Sequence, residues 1–308
     1  MRDAFVAALT ELAERDERVV LLTGDLGFTV LEDFAARFPD RFYNVGVAEQ
    51  NMLGLATGLA EDGFVPFAYS IATFASMRPY EFFRNGAILH DLPVRLVGIG
   101  GGLDYGHNGV THHALEDVAL MRAQPGLTVV VPADDQRTRQ AVVRTASLGG
   151  PVYFRVGKSS GPACAVGGDF QLGSASSVGE GRDVALVALG GIADEAMRAR
   201  ALLEQQGLSV SVTVVESVSP PPVADLAAVL GRARMAITLE AHYVAGGLGS
   251  LVAEVIAEHG LGCRLVRHGV REVPRGLTGR LPYLYGQLGL SADKVVESAM
   301  AFQALKAG

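Results

Sequence analysis

Short runs of β-branched and aliphatic residues alternate along this chain with longer stretches in which apolar positions recur every three or four residues. The runs at 19–22, 65–69, 94–99, 127–131, 152–156, 184–189, 210–215, 236–239 and 263–266 are apolar at nearly every position. Such runs predict strands buried on both faces. The stretches at 3–15, 49–61, 79–90, 114–123, 136–147, 192–206, 222–231 and 247–258 predict helices. Strand and helix take turns, so the pattern predicts βαβ units: an α/β protein of two doubly wound domains with mostly parallel sheets. The rhythm fails between residues 157 and 182, where Gly161-Pro162, Gly167-Gly168, Gly179 and Gly181 punctuate a segment with few apolar positions. This divides the chain into a domain at 1–160, a linker at 161–182 and a domain at 183–308.

Composition agrees with two well-filled cores. Of the 308 residues, 49% are apolar and 19% charged, and a chain of this length has room for two domains. The net charge is −7, from 26 basic and 33 acidic residues, with no basic run. Nucleic acid and an anionic membrane surface are therefore poor partners. Two cysteines, Cys164 and Cys263, without metal-ligand spacing fit a reducing cytoplasm. Met1-Arg2-Asp3-Ala4-Phe5 leads straight into an amphipathic pattern with no signal-peptide core. No apolar run reaches bilayer length.

In open α/β sheets ligands bind beyond the carboxyl ends of the strands. Those ends here are Gly24-Asp25-Leu26, residues 70–74, residues 100–113, residues 155–158 and Glu240-Ala241-His242. Between the first two lies Glu49, the only charge from Val45 to Ala60. A carboxylate in an apolar helix start either satisfies free backbone N–H groups or has a chemical use. Residues 104–113 place His107, His112 and His113 within seven positions. That density past a strand end points to a site, although the spacing fits no common zinc pattern and no metal ligands are predicted.

Six segments, in order and over the whole length, resemble the C-terminal half of a transketolase, and most closely the short chain of the split, two-subunit transketolases. Thr23-Gly24-Asp25-Leu26 resembles the "ADL" loop, and residues 44–52 the "GVAEQNM" segment. Residues 73–78 resemble the "TFAxxxR" pyrimidine-site segment, and Gly109-Val110-Thr111-His112 the "DGPTH" loop. Residues 120–125 resemble "LMRAxP", and Glu240-Ala241-His242 with Gly246-Gly247-Leu248-Gly249 resembles "EEH…GGLG".

The resemblance implies a thiamine diphosphate enzyme whose first domain binds the cofactor's pyrimidine and whose second is the transketolase C-terminal domain. It implies that Glu49 handles the proton at N1′ of the aminopyrimidine. Phe74 would stack on that ring, with Tyr80 as a second pocket aromatic. Met77 would form a softer wall where many relatives have Phe or Arg, and Ile71 replaces an aromatic of some relatives. Leu26 would prop the bent cofactor, and Asp25 would contact it or cap a helix. His112 would face the reacting carbons, with His107, His113 and Asn108 beside the substrate. Arg2, Thr29 and Arg155 (or Lys158) would hold an anionic acceptor group. Glu240 and His242 would be structural, with the glycines after them allowing close helix packing.

The Gly-Asp-Gly loop and following Asn that hold the diphosphate and metal in this family are missing: Asp62-Gly63 and Glu180-Gly181 lack the register. The resemblance therefore implies an N-terminal-half partner subunit of roughly 250–300 residues that carries Mg²⁺ (or Ca²⁺), in a dimer of heterodimers. The reaction implied is transfer of a two-carbon ketol unit, or a related acyl unit, from a ketose or 2-oxo donor to an aldehyde acceptor. Two departures bear on the substrate: Asn108 stands where transketolases have Asp, and Gly100 where they have a sugar-contacting histidine. Two rivals share the domain order: a decarboxylating 2-oxoacid dehydrogenase β-subunit with a lipoyl acceptor, and a partner subunit without chemistry.

Overall fold

Six strands of the first domain and one of the second form a seven-stranded sheet, five further strands of the second domain form another, and the two sheets share a middle core layer. The computed structural model describes residues 1–159 and 163–307. The first domain runs α1 (Arg2–Arg15), β1 (Val19–Thr23), α2 (Glu32–Arg37), β2 (Phe42–Asn44), α3 (Glu49–Glu61), β3 (Val65–Ile71), α4 (Ala72–Met77), α5 (Tyr80–Phe83), β4 (Arg95–Ile99), α6 (Asp117–Arg122), β5 (Thr128–Val130), α7 (Asp135–Thr145) and β6 (Val152–Val156). The second runs β7 (Ala175–Val178), β8 (Val184–Leu189), α8 (Ala193–Gln205), β9 (Val210–Val215), β10 (Ser217–Ser219), α9 (Val223–Leu230), β11 (Met235–Tyr243), α10 (Leu248–Glu258), β12 (Arg264–Val270), α11 (Leu281–Gln287) and α12 (Ala292–Ala307).

The sheet orders are β10-β5-β6-β4-β3-β1-β2 and β12-β11-β8-β9-β7. All strand pairings are parallel except at one edge of each sheet, β10 on β5 and β7 on β9. The fully apolar runs sit where both faces are covered. Along β8, Val184, Leu186 and Ala188 pack under α8 and α12, while Ala185, Val187 and Leu189 face the layer between the sheets. That middle layer joins Met52, Leu53 and Ala56 of α3 and Val118 and Met121 of α6 to Leu226 of α9 and Leu251, Val252 and Val255 of α10. The outer face of the first sheet is covered by Phe5 and Leu9 of α1 and Ala141 and Val142 of α7.

Three sequence expectations need correction. The segment read as a loose linker is anchored from Val166 onward: Val166 and Phe170 are buried, and Ala175–Val178 adds an edge strand to the second sheet. Ser160, Gly161 and Pro162, where that reading puts the boundary, lie outside the described residues. The chain also returns after β9 to lend β10 to the first sheet, so the sheets are not segregated along the sequence. Finally, residues 114–116 are not helical. Ala114 instead exchanges two backbone hydrogen bonds with Gly102, which pins the histidine-rich loop shut at its base.

Candidate active site

Glu49 opens α3, yet its carboxylate caps nothing. The turn before it is held by Asn44, whose amide oxygen accepts from the backbone N–H groups of Asp25 and Gly46 (3.1 and 3.0 Å). The amide nitrogen of Asn44 donates to the Asp25 carboxylate at 3.1 Å. With the turn satisfied, Glu49 points inward at 2% exposure. Ser70, at the end of β3, donates its hydroxyl to Oε1 at 3.1 Å, and Arg78 donates Nη1 to Oε2 at 2.8 Å. Gly24 leaves the back of the carboxyl free of side chain: a Cβ there would lie 3.7 Å from Oε1.

Phe74 and Arg78 are four residues apart at the end of α4, so they share a face. The guanidinium carbon sits 3.9 Å from the Phe74 ring centroid, a cation–π contact worth roughly 0.5–2 kcal/mol. His112 meets the Phe74 ring edge-on at 5.2 Å, with Thr111 Oγ1 at 3.0 Å from its Nδ1. Tyr105 stands 6.1 Å from the His112 ring, and Lys158 lies 4.4 Å over the Tyr105 face. Burial pushes the Tyr105 phenol up, opposed by the nearby Arg2 charge. Glu49, Phe74 and His112 thus belong to one chain of contacts, completed by Ser70, Arg78 and Tyr105.

Gly100 explains part of this arrangement. Its φ is +73°, and a Cβ there would meet Tyr105 Cε2 at 2.2 Å. The Tyr105 ring fills the space a side chain at 100 would need. The loop is braced from the second domain, where the Gly279 amide donates to the Gly106 carbonyl at 3.1 Å.

Other sequence-named residues have different work. The Tyr80 hydroxyl donates to the Leu120 carbonyl at 3.0 Å and accepts from Gln124, so it ties α5 to α6. His113 is 3% exposed, and burial, with the His112 charge, pulls its value down. It is a packed, neutral imidazole, not an open substrate contact. Arg155 is buried against Asp117 (Nε to Oδ2, 2.8 Å), and its Nη2 donates to the Ala114 and Ala241 carbonyls at 3.1 and 2.8 Å. It is a brace between the domains that also lines the cavity between them. Asp25 holds Asn44 and caps no helix. Leu26 is half-buried on the outer core. Met77, His107, Asn108 and Thr29 are exposed. Thr29 donates its amide to Glu32 Oε1 at 2.7 Å at the start of α2. His107 and Lys158 line a cavity of about 410 Å³ between the domains, with Asp104, Asp194, Arg280 and Tyr285. Among the described residues no three His, Cys, Asp or Glu side chains converge to hold a metal, and no helix is long and apolar enough to cross a membrane.

Sequence comparison accounts for this layout. The transketolase pyrimidine-binding domain model matches residues 1–163, and the transketolase C-terminal domain model matches residues 173–295. The chain belongs to the transketolase family. Its relatives include a putative transketolase C-terminal section of Methanocaldococcus jannaschii, 35% identical over 97% of this chain and 95% of that protein. A 6-deoxy-6-sulfo-D-fructose transketolase subunit of Clostridium sp. (strain MSTE9) is 38% identical over 97% and 93%. Among solved structures, a split-gene transketolase described as an inactive β4 tetramer aligns with TM-score 0.88 and 37% identity over 97% of both chains. This transketolase chain therefore has the two-domain composition of a C-terminal section.

Proposed function

We propose that this chain is the small, pyrimidine-binding subunit of a split thiamine diphosphate transketolase, active only with an N-terminal-half subunit that holds the diphosphate through Mg²⁺ (or Ca²⁺). The observation that carries the reading is Glu49. It is a buried carboxylate not spent on its own helix, linked through Arg78 to the Phe74 ring and from that ring to His112. Those residues fit an aminopyrimidine: a flat ring on Phe74, with its N1′ edge toward the Glu49 carboxyl.

When bound, thiamine diphosphate supplies the nucleophilic carbon and the electron sink for cleaving the donor C–C bond. The work of this chain is narrower. Glu49 holds or gives a proton at N1′, Ser70 orients the Glu49 carboxyl, and Phe74 fixes the ring plane. His112 donates to an oxygen of the reacting substrate. Asn108, Arg2 and Thr29, with His107 and Lys158 farther along, offer contacts for a polar or anionic substrate end. The sulfonated sugar in the name of one relative supports an anionic donor here. Phe28 at 73%, Val47 at 70% and Met77 at 44% exposure sit by sequence next to Asp25, Glu49 and Arg78. Exposed apolar side chains around a half-built site support a partner chain covering it. The β4 relative described as inactive supports the same dependence on a partner, in a cytoplasmic dimer of heterodimers.

The experiment is co-purification with the N-terminal-half subunit, followed by a donor screen with thiamine diphosphate and Mg²⁺. Hydroxypyruvate or ketose phosphates are expected to turn over with an aldehyde acceptor. Turnover of pyruvate or branched 2-oxo acids only would favour a dehydrogenase β-subunit, and no cofactor-dependent signal a non-catalytic partner. Glu49→Ala is expected to abolish turnover while the circular dichroism of the fold persists. Retention of more than about a tenth of kcat, a barrier change of only ~1.4 kcal/mol, would contradict the role.

A further inference from the structure

The guanidinium of Arg78 touches both groups that an aminopyrimidine would need. It lies 3.9 Å over the Phe74 ring and donates to Glu49 Oε2 at 2.8 Å. A flat cation that stacks on an aromatic face while its edge N–H meets a carboxylate copies the two contacts of a flat heteroaromatic ring in the same place. We propose that Arg78 is an internal competitor for the aminopyrimidine subsite, filling it in the unassembled subunit and leaving when the cofactor is seated. The proposal rests on the function proposed above.

Three features support a replaceable occupant over a permanent brace. First, the Arg78 head is 40% exposed whereas its acid is 2% exposed, so it covers Glu49 from the solvent side and can swing out. Second, the contacts described for the guanidinium are only these two, both on the site. Arg155, by contrast, is a brace that spreads its donors over one carboxylate and two carbonyls. Third, Ser70 holds the other oxygen of Glu49, so the carboxyl keeps its place when Arg78 departs. An ion pair requires the ionised carboxylate, whereas a hydrogen bond donated to N1′ requires its proton. Arg78 and the ring therefore exclude one another chemically as well as in space. While Arg78 stays, the buried acid has a partner, and an unpaired charge is avoided during the time the subunit waits for assembly.

The test measures thiamine diphosphate affinity, with Mg²⁺, for the assembled pair carrying wild-type chain, Arg78→Met or Arg78→Lys. Calorimetry reads Kd independently of turnover. An occupant present nine-tenths of the time weakens apparent affinity about tenfold, so Arg78→Met is expected to tighten Kd about tenfold. Arg78→Lys, which keeps the charge without the planar stack, should fall between and covers the case in which the Met variant folds poorly. Thiamine without phosphates, titrated into the isolated subunit by NMR, should shift Phe74 and His112 signals in Arg78→Met at concentrations that leave wild type unchanged. Equal or weaker cofactor binding by both variants would overturn the proposal and make Arg78 a bystander or a holder of the cofactor. A wild-type pair that binds no thiamine diphosphate would overturn the proposed function, and this proposal with it. Normal wild-type binding with unmoved variants would sink this proposal alone.

Discussion

Gly100 and Tyr105 show how one residue's absence places another. A Cβ at Gly100 would stand 2.2 Å from Tyr105 Cε2, and the backbone there has a φ of +73°. Gly100→Ala therefore strains the backbone and displaces the ring. The expected cost is about 1–3 kcal/mol, measured by denaturant unfolding, with a raised donor KM because Tyr105 borders His112. Gly100→Ala/Tyr105→Ala should recover part of the stability, since the clash is pairwise; purely additive losses would show that the backbone alone is at fault. At this scale the sequence was legible where chemistry is local. Glu49, Phe74 and His112 stand out by motif and lie within one set of contacts. Arg78 was visible only as the end of a motif. The four-residue step from Phe74 to Arg78 could have suggested their stack, but its ion pair crosses 29 residues and needed the fold. The partners of Tyr80 and Arg155 were illegible for the same reason. A hydroxyl or guanidinium at the right spacing says nothing about which backbone carbonyl will arrive to meet it.

Elements whose period is strong were legible, and those defined by a neighbour were not. The fully buried strands and α1, α3, α7, α8, α9 and α10 follow from apolar repeats alone. The edge strands β2, β7 and β10 have 3 or 4 residues each. Their character comes from pairing with a sheet already in place, which no period records. α10 illustrates an element read correctly for a reason only the structure supplies. Glu240 on β11 accepts the amides of Leu248 and Gly249 at 2.7 and 2.8 Å, capping the first turn. A Cβ on Gly247 would meet Glu240 Oε2 at 2.0 Å, so glycine lets the helix approach the acid. Burial pushes the Glu240 carboxyl from its ordinary 4.5 up to about 7, against those amides and the Arg155 and Arg267 charges. The folded protein therefore keeps a proton there after the unfolded chain has lost it. This contribution to stability is full below about 4.5, declines as pH rises and is gone above about 7. The decline is on the order of 3 kcal/mol. Glu240→Gln is expected to lower stability overall by misplacing one amide donor, and to remove this component of the pH slope. Melting temperatures of both proteins from pH 4.5 to 8 check it; parallel curves would reject it.

The whole molecule is held as one body by β10, by the shared middle layer and by Arg155. The guanidinium joins Asp117 of α6 to the Ala241 carbonyl of β11, and Asp117 has its other oxygen without a partner. Arg155→Ala removes the counter-charge and leaves that buried carboxylate with only the Tyr153 hydroxyl at 2.8 Å, so about 3–5 kcal/mol of stability should be lost. Because the core is continuous, both domains are expected to melt together in wild type, and calorimetry should resolve a second transition only in the variant. Two transitions in wild type would deny the coupling. The order of segments, the two α/β units and the acid, ring and imidazole of the candidate site were determined by the sequence itself, because they arise from local periodicity and short motifs. The tertiary structure alone decided the return of β10, the anchoring of β7, the bracing of the histidine loop by Gly279 and the seat of Arg78 on Phe74 and Glu49. Each of these joins groups far apart along the chain, and which donor meets which acceptor is settled only when packed layers bring them within hydrogen-bond reach.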